Sequence, residues 1–296
     1  MPRSSRPDPR RAVVRLGAWS LAATLALLLA TPSLARRVKH LEIPQAVELP
    51  VYTVDAAAPP LLGTHEYRLG WSGLPVARVS LTAREVPDES GIAVDVIGAT
   101  HPVIDWIYRY RFDANGLVGT APFAPRRFDL DVCEKGRSKQ TQIRFPASGK
   151  RIESLRQSRG REKLYWFESD NTWDIPSAVY LVLNLPYEAG ARYTLDTFTG
   201  RSRYLVSIDV EELETLRIGE RERAAWRLRL RTEELTDDDD ENAHRETFVW
   251  ITPERPRTLL RARSDVWVGS ITLDLADGEP LEPLRPSACD TRHAGL

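Results

Sequence analysis

The sequence predicts an all-β protein: a mainly antiparallel, curved sheet forming an open β-barrel or half-barrel, with one short buried helix. Three observations carry the prediction. Apolar and polar residues alternate with period two over many short stretches, the pattern of half-buried antiparallel strands. Gly, Asn, Ser and Pro punctuate those stretches where turns are needed. Only residues 174–183 read as a helix.

The chain begins with Arg3, Arg6, Arg10, Arg11 and Arg15, followed by an Ala/Leu-rich apolar run at residues 16–30 and then Ser33-Leu34-Ala35. A basic region, an apolar core and a small-residue site make a secretory signal peptide over residues 1–35, cleaved after Ala35. The apolar run is shorter than the roughly 20 residues a spanning helix needs. Arg10-Arg11 weakly resembles a twin-arginine signal, and an ordinary basic region explains it as well. Cleavage removes five arginines and one aspartate, so the formal charge falls from −1 to −5. A mildly acidic chain argues against general nucleic-acid binding. Nothing after the signal is long and apolar enough to span a membrane, and the location expected is the periplasm.

Residues 36–62 carry Pro44, Pro50, Pro59 and Pro60 with an Ala56-Ala57-Ala58 run, and read as a linker with room for one edge strand. The β domain is expected over residues 63–276. Tyr67, Leu69 and Trp71 alternate with polar residues, Ser72-Gly73 turns, and Ala77, Val79 and Leu81 continue the alternation. Trp106, Tyr108, Tyr110 and Phe112 then fall on one face of a further strand, opposite Ile107, Arg109 and Arg111. Asn115-Gly116 is a strong turn signal. Phe128, Leu130 and Val132, then Thr141, Ile143 and Phe145, make the next hairpin.

Residues 150–163 hold Arg151, Arg156, Arg159 and Arg161. They fit a patch for an anionic partner such as lipid headgroups, or more plainly a solvated loop or polar strand face. The apolar residues 164–167 fit core packing, with a cavity wall as the alternative. Asp174 suits a helix N-cap and Pro176 the first turn; the segment is apolar nearly all round and should be buried against the sheet. Strands resume around Tyr204 to Val210, Trp226 to Leu230, Thr247 to Ile251, Leu259 to Arg263 and Val266 to Leu275, for roughly a dozen in all. The acidic run at 237–242 lacks the spaced ligands and glycine of a calcium loop and reads as a solvated hairpin tip. Residues 277–296 read as a flexible, Pro-rich tail.

Catalytic signals are absent from the sequence. His40, His65, His101, His244 and His293 are not spaced as metal ligands, and no nucleophile elbow, zinc-protease helix or phosphate loop is present. No cofactor is implied. Cys133 and Cys289 are a possible disulfide in an oxidising compartment, or two free thiols. The aromatic supply is more informative. Trp106, Tyr108, Tyr110, Trp166, Trp173 and Tyr180 are the candidate ligand-binding residues, set on a concave face gated by the helix; the alternative is that such rings simply fill the interior.

Several stretches in order and spacing resemble one exported bacterial family, domain of unknown function 3108: EYRLGWSGLPVARVSLTA, IYRYRFDANGLVGTAPFAPRRFDL, QIRFP, DIPSAVYLVLNLP and FVWITPERPRTLLRARSDVWVGSITLDL. The resemblance covers most of residues 66–275. It departs at Ala77, where a glycine is expected, which puts a local bulge in question. It implies an extracytoplasmic antiparallel β domain with no catalytic residues to carry over. The architecture is also similar to the open-barrel lipoprotein carriers of the envelope, at the level of fold only. The functional expectation is a non-enzymatic protein binding a lipid or other amphiphile of the envelope. Alternatives are an assembly or structural factor contacting an envelope protein partner, and a hydrolase whose site is not visible in sequence.

Overall fold

The structure is a computed structural model that describes residues 38–41, 49–50, 52, 61–146, 150–236, 245–266, 268–276, 284 and 289. The expected signal segment, most of the lead-in, the acidic run 237–242, His244, Trp267, His293 and most of the tail lie outside the described residues.

Sixteen strands form one sheet among the described residues. They are β1 (Lys39–His40), β2 (Gly63–Trp71), β3 (Leu74–Val86), β4 (Gly91–Thr100), β5 (Tyr110–Thr120), β6 (Phe123–Glu134), β7 (Arg137–Arg144), β8 (Arg151–Ser158), β9 (Arg161–Glu168), β10 (Thr172–Trp173), β11 (Arg192–Phe198), β12 (Arg203–Ile218), β13 (Arg221–Glu234), β14 (Arg245–Ile251), β15 (Leu259–Asp265) and β16 (Ser270–Leu275). Two α-helices interrupt them, α1 (Pro102–Tyr108) and α2 (Ile175–Asn184). The sheet runs β1-β9-β8-β7-β6-β5-β4-β3-β2-β16-β15-β14-β13-β12-β11-β10. All pairings are antiparallel except those of the two end strands, β1 on β9 and β10 on β11. The expected fold class is therefore the observed one: an open, barrel-like antiparallel sheet.

A sheet of this length must curl to bury one face. The inward set includes Tyr67, Leu69, Val79, Val94, Val96, Phe128, Leu130, Ile143 and Phe167, all buried. The curl brings the two ends of the order together, and side chains bridge the seam. Phe167 on β9 meets Phe198 on β11 edge-to-face, with ring centroids 4.9 Å apart. Asp196 on β11 is fully buried and pairs with Arg203 on β12 at 2.5 Å. Thr172 on β10 donates a second hydrogen bond to Asp196, and the Arg203 guanidinium lies 4.1 Å from the Phe167 ring centroid. The pair is thus desolvated but compensated on both sides, the condition under which a buried ion pair persists.

Several expectations are corrected here. The face shared by Trp106 and Tyr110 does not exist, because residues 102–108 are helical and the strand starts only at Tyr110. Pro102 sits in the first turn of that helix, where a missing N–H costs nothing. Asn115-Gly116 is no turn but the middle of β5. The Asn115 side chain instead donates to Asp113 on the same face (2.9 Å), and Gly116 lies beneath α2. Of the two plain readings of residues 150–163, the strand is the one found: most of the stretch belongs to the β8–β9 hairpin. Despite Ala77, the bulge is present: Leu69 pairs with Ala77 but Gly70 pairs with Pro75. Described parts of the lead-in dock on the sheet. Leu41 and Leu61 are buried, and the Tyr52 hydroxyl accepts from Thr194 N–H (2.7 Å) and donates to its carbonyl (3.2 Å).

Candidate functional site

Helix α2 crosses the concave face, as its all-round apolar sequence requires. Its N-cap is Asp174, whose Oδ1 accepts from Ser177 N–H (2.9 Å) and whose Oδ2 accepts from Ser177 Oγ–H (2.7 Å). Complete burial pushes the Asp174 carboxyl up to about 7, and the two Ser177 hydrogen bonds only partly oppose that. At the other end of the helix, Arg257 holds the carbonyls of Leu183 (3.2 Å) and Leu185 (2.5 Å) while its guanidinium lies 4.1 Å from the Tyr187 ring centroid. A cation on these orphan carbonyls suits a helix C-terminus.

Two glycines set how closely the layers approach. A Cβ on Gly116 would come within 3.0 Å of Pro176, so the helix start rests directly on the β5 backbone. A Cβ on Gly98 would clash with the Phe112 ring at 2.0 Å; the ring lies across the strand in the space that the glycine leaves.

Between α2 and strands β3 to β6 lies a cavity of about 40 Å³. It is walled by Leu81, Val94, Val96, Leu130 and Phe112 on the sheet and by Val179 and Leu183 on the helix, with Leu61 of the lead-in closing one side. At roughly 10–15 Å³ per water-sized group, it has room for a few such groups. Among the described residues its lining contains no carboxylate, histidine, serine or cysteine, and the phenols of Tyr110 and Tyr180 are the only polar side chains. Both phenols have their pKa raised by burial and stay neutral at any physiological pH. An apolar void of this kind stays dry and favours an apolar occupant.

Of the six candidate ligand-binding residues, Tyr110 and Tyr180 line this cavity. Trp173 is buried behind it, reaching Tyr180 through Phe123, with centroids 5.7 and 6.2 Å apart. Tyr108 stacks on Tyr110 at 6.2 Å but sends its hydroxyl away to Glu134. Trp166 is on the outer face, because its neighbours Tyr165 and Phe167 take the inward positions; it packs on His40 at 4.2 Å under the Arg151 guanidinium. Trp106 lies outside the barrel and is 95% exposed. The wall residues missed by sequence reasoning are mostly aliphatic, with Phe112 and Phe128 beside them. Their only signal is the same period-two alternation that marks any strand.

Cys133 and Cys289 are joined by a disulfide across 156 residues, tying the tail to the outer side of β6. Among the described residues no group of His, Cys, Asp and Glu is arranged to hold a metal ion. No helix there is long and apolar enough to cross a membrane, which says nothing about crossing by strands.

The fold and the site define a β-barrel-like protein with a helix laid over an apolar interior. The chain belongs to the family described as protein of unknown function (DUF3108), whose model matches residues 66–276. No curated protein matches the sequence. Among solved structures, a β-barrel-like protein of domain of unknown function DUF1849 from Brucella abortus is similar in fold: 9% identical, TM-score 0.52, covering 74% of this chain and 97% of that one. A "putative lipoprotein" from Parabacteroides distasonis is 10% identical with a TM-score of 0.32, covering 76% of this chain and 98% of that one.

Proposed function

We propose that this is an exported, extracytoplasmic protein that holds the apolar part of an envelope amphiphile between α2 and the concave face of β3 to β6, without covalent chemistry. The observation that carries this reading is the apolar cavity under α2, closed by one short helix and one lead-in residue rather than by the sheet itself. The basic and apolar start of the chain and the Cys133–Cys289 disulfide support export. An occupant larger than the present void enters by lifting α2 and Leu61. The cost of that motion falls on contacts at a few positions, not on the strand ladder.

The test is native mass spectrometry, with lipid extraction, on the chain purified from the periplasm of its own host. A stoichiometric co-purifying lipid or amphiphile is expected. Its loss is expected in Ala114→Phe, which fills the cavity from the β5 side at a cost of about 1–3 kcal/mol in overpacking. A clean unliganded mass for the unsubstituted protein would overturn the reading, as would a ligand that survives Ala114→Phe in a protein shown to melt cooperatively.

A further inference from the structure

The exposed apolar side chains of this protein are concentrated at one end of the barrel. Of the eight large apolar residues most exposed among the described residues, five are there: Val103 (81%), Trp106 (95%) and Ile107 (78%) on α1, Leu74 (65%) on the β2–β3 turn and Val268 (41%) on the β15–β16 turn. The connections hold them together. The Val76 carbonyl, two residues along from Leu74, accepts from His101 N–H (3.0 Å) at the start of α1, and the Val268 carbonyl accepts from Trp71 Nε1–H (2.9 Å).

Helix α1 turns Ile104, Asp105 and Tyr108 towards the barrel, with Ile104 packed against the core and Tyr108 buried. Val103, Trp106 and Ile107 stand at i, i+3 and i+4 and so share one face. The opposite side is fixed to the barrel by Asp105, which accepts from Thr100 Oγ–H (2.5 Å) and from Arg111 Nη1–H (2.9 Å), and by the buried Tyr108. Ile104 and Tyr108 already serve the core on that side, so Val103, Trp106 and Ile107 make a second apolar face, turned outward. The outward face is held in place by the part-buried Asp105–Arg111 ion pair.

Beside this tip the surface is basic. Arg109, Lys135, Arg137, Arg159 and Arg161 are exposed along the end of α1 and the neighbouring β6–β7 and β8–β9 turns. Lys135 N–H donates to the Arg109 carbonyl (2.9 Å), and Lys139 pairs with Ser158 across β7 and β8, which places the two turns side by side. Of the described acids nearby, Asp105 is engaged as above, Glu134 with Tyr108 and Lys139, and Glu162 with Gln157, while Asp265 beside the β15–β16 turn is exposed and pairs with Arg263.

We infer that this end is a docking surface for a lipid bilayer with anionic headgroups. A Trp-Ile-Val face of this size suits shallow insertion at the headgroup–acyl boundary, where tryptophan is favoured, and the adjoining cations complement acidic headgroups. The inference does not depend on what the cavity holds.

The experiment is flotation of the chain from residue 36 onward with vesicles of phosphatidylcholine alone and of phosphatidylcholine mixed with phosphatidylglycerol. Binding is expected on the mixed vesicles, weakening with added salt. Arg159→Ala and Arg161→Ala should each weaken it by about fivefold. Trp106→Ser with Ile107→Ser should weaken it by at least about tenfold. Absence of binding by the unsubstituted chain would overturn the inference and leave the tip to a protein partner. Binding that is equal on both vesicle types, or indifferent to the Trp106 and Ile107 changes, would overturn it too.

Discussion

The seam and the α1 tip break the usual partition of residues in opposite directions. At the seam, Asp196 and Arg203 are charged and buried. At the tip, Trp106 and its neighbours are apolar and exposed. The buried charges are satisfied by groups from other strands: Thr172 from β10 and the Phe167 ring from β9. Among the described residues the exposed apolar groups have no such explanation, since α1 is anchored by its other side. A violation that the fold itself compensates belongs to architecture. One that the fold supports but does not compensate points outward, to a partner.

The largest test of this contrast is at the seam. Asp196→Ala strands the Arg203 guanidinium in a dry site, and a loss of about 3–5 kcal/mol is expected in urea unfolding. The double change Asp196→Leu with Arg203→Met should recover much of it, because an apolar pair needs no solvation. Equal losses for the single and double variants would mean that the unpaired charge is not what the single variant suffers from.

A smaller effect, readable against pH, concerns the helix between the two regions. The Asp174 carboxyl is pushed up to about 7 when folded, against an ordinary value near 3.9 when unfolded. Between those values the native state binds more protons than the unfolded one. The contribution of this group is therefore complete below about pH 4 and is lost as pH rises towards 7, at up to about 1.4 kcal/mol per pH unit. Asp174→Asn keeps an acceptor for Ser177 N–H and does not titrate. Other acids add slopes of both signs: burial raises Asp113 and Asp196, whereas at Asp105 burial is outweighed by hydrogen bonds from Arg111 and Thr100 and by the Arg111 charge, so the informative quantity is the difference between variant and wild type. Thermal melts should show the variant gaining on the wild type from pH 4 to 7, with the gap constant above that. Parallel curves throughout would place the Asp174 carboxyl at an ordinary value and make α2 indifferent to pH.

These regions were unequally legible in the sequence. The β2–β3 hairpin and α2 could be read because their signals are local: alternation around Ser72-Gly73, and Asp174 and Pro176 opening an apolar run. The stretch around Trp106 misled because W-x-Y-x-Y-x-F fits a strand, while Val103, Trp106 and Ile107 fit a helix equally well. Pro102 and the two residues the helix uses as anchors, Asp105 and Tyr108, decide between them. Asn115-Gly116 has turn chemistry, yet its glycine is needed for the approach of Pro176, a contact 60 residues away in sequence. The seam was not legible at all. Asp196 and Arg203 lie diagonally across the β11–β12 hairpin, but their burial depends on Thr172 and Phe167, whose approach is a property of the curled sheet as a whole. The cavity was legible only as a kind of face; which rings reach it depends on where β5 begins.

The smallest expected effect is on stability at the tip, and its smallness is what gives the comparison its force. Trp106 and Ile107 are nearly as exposed in the folded chain as in an unfolded one, so folding removes little of their apolar surface from water. Trp106→Ser and Ile107→Ser should shift stability by no more than about 0.5 kcal/mol each. The same serine placed at Phe112 should cost several times more, because that ring fills the space over Gly98 and walls the cavity. Urea midpoints for the three variants separate the cases directly. A loss above about 1.5 kcal/mol at Trp106 would show that a part of this chain covers the tip. The apolar face would then be ordinary core, and the distinction between compensated and uncompensated violations would fail at the place where it is sharpest.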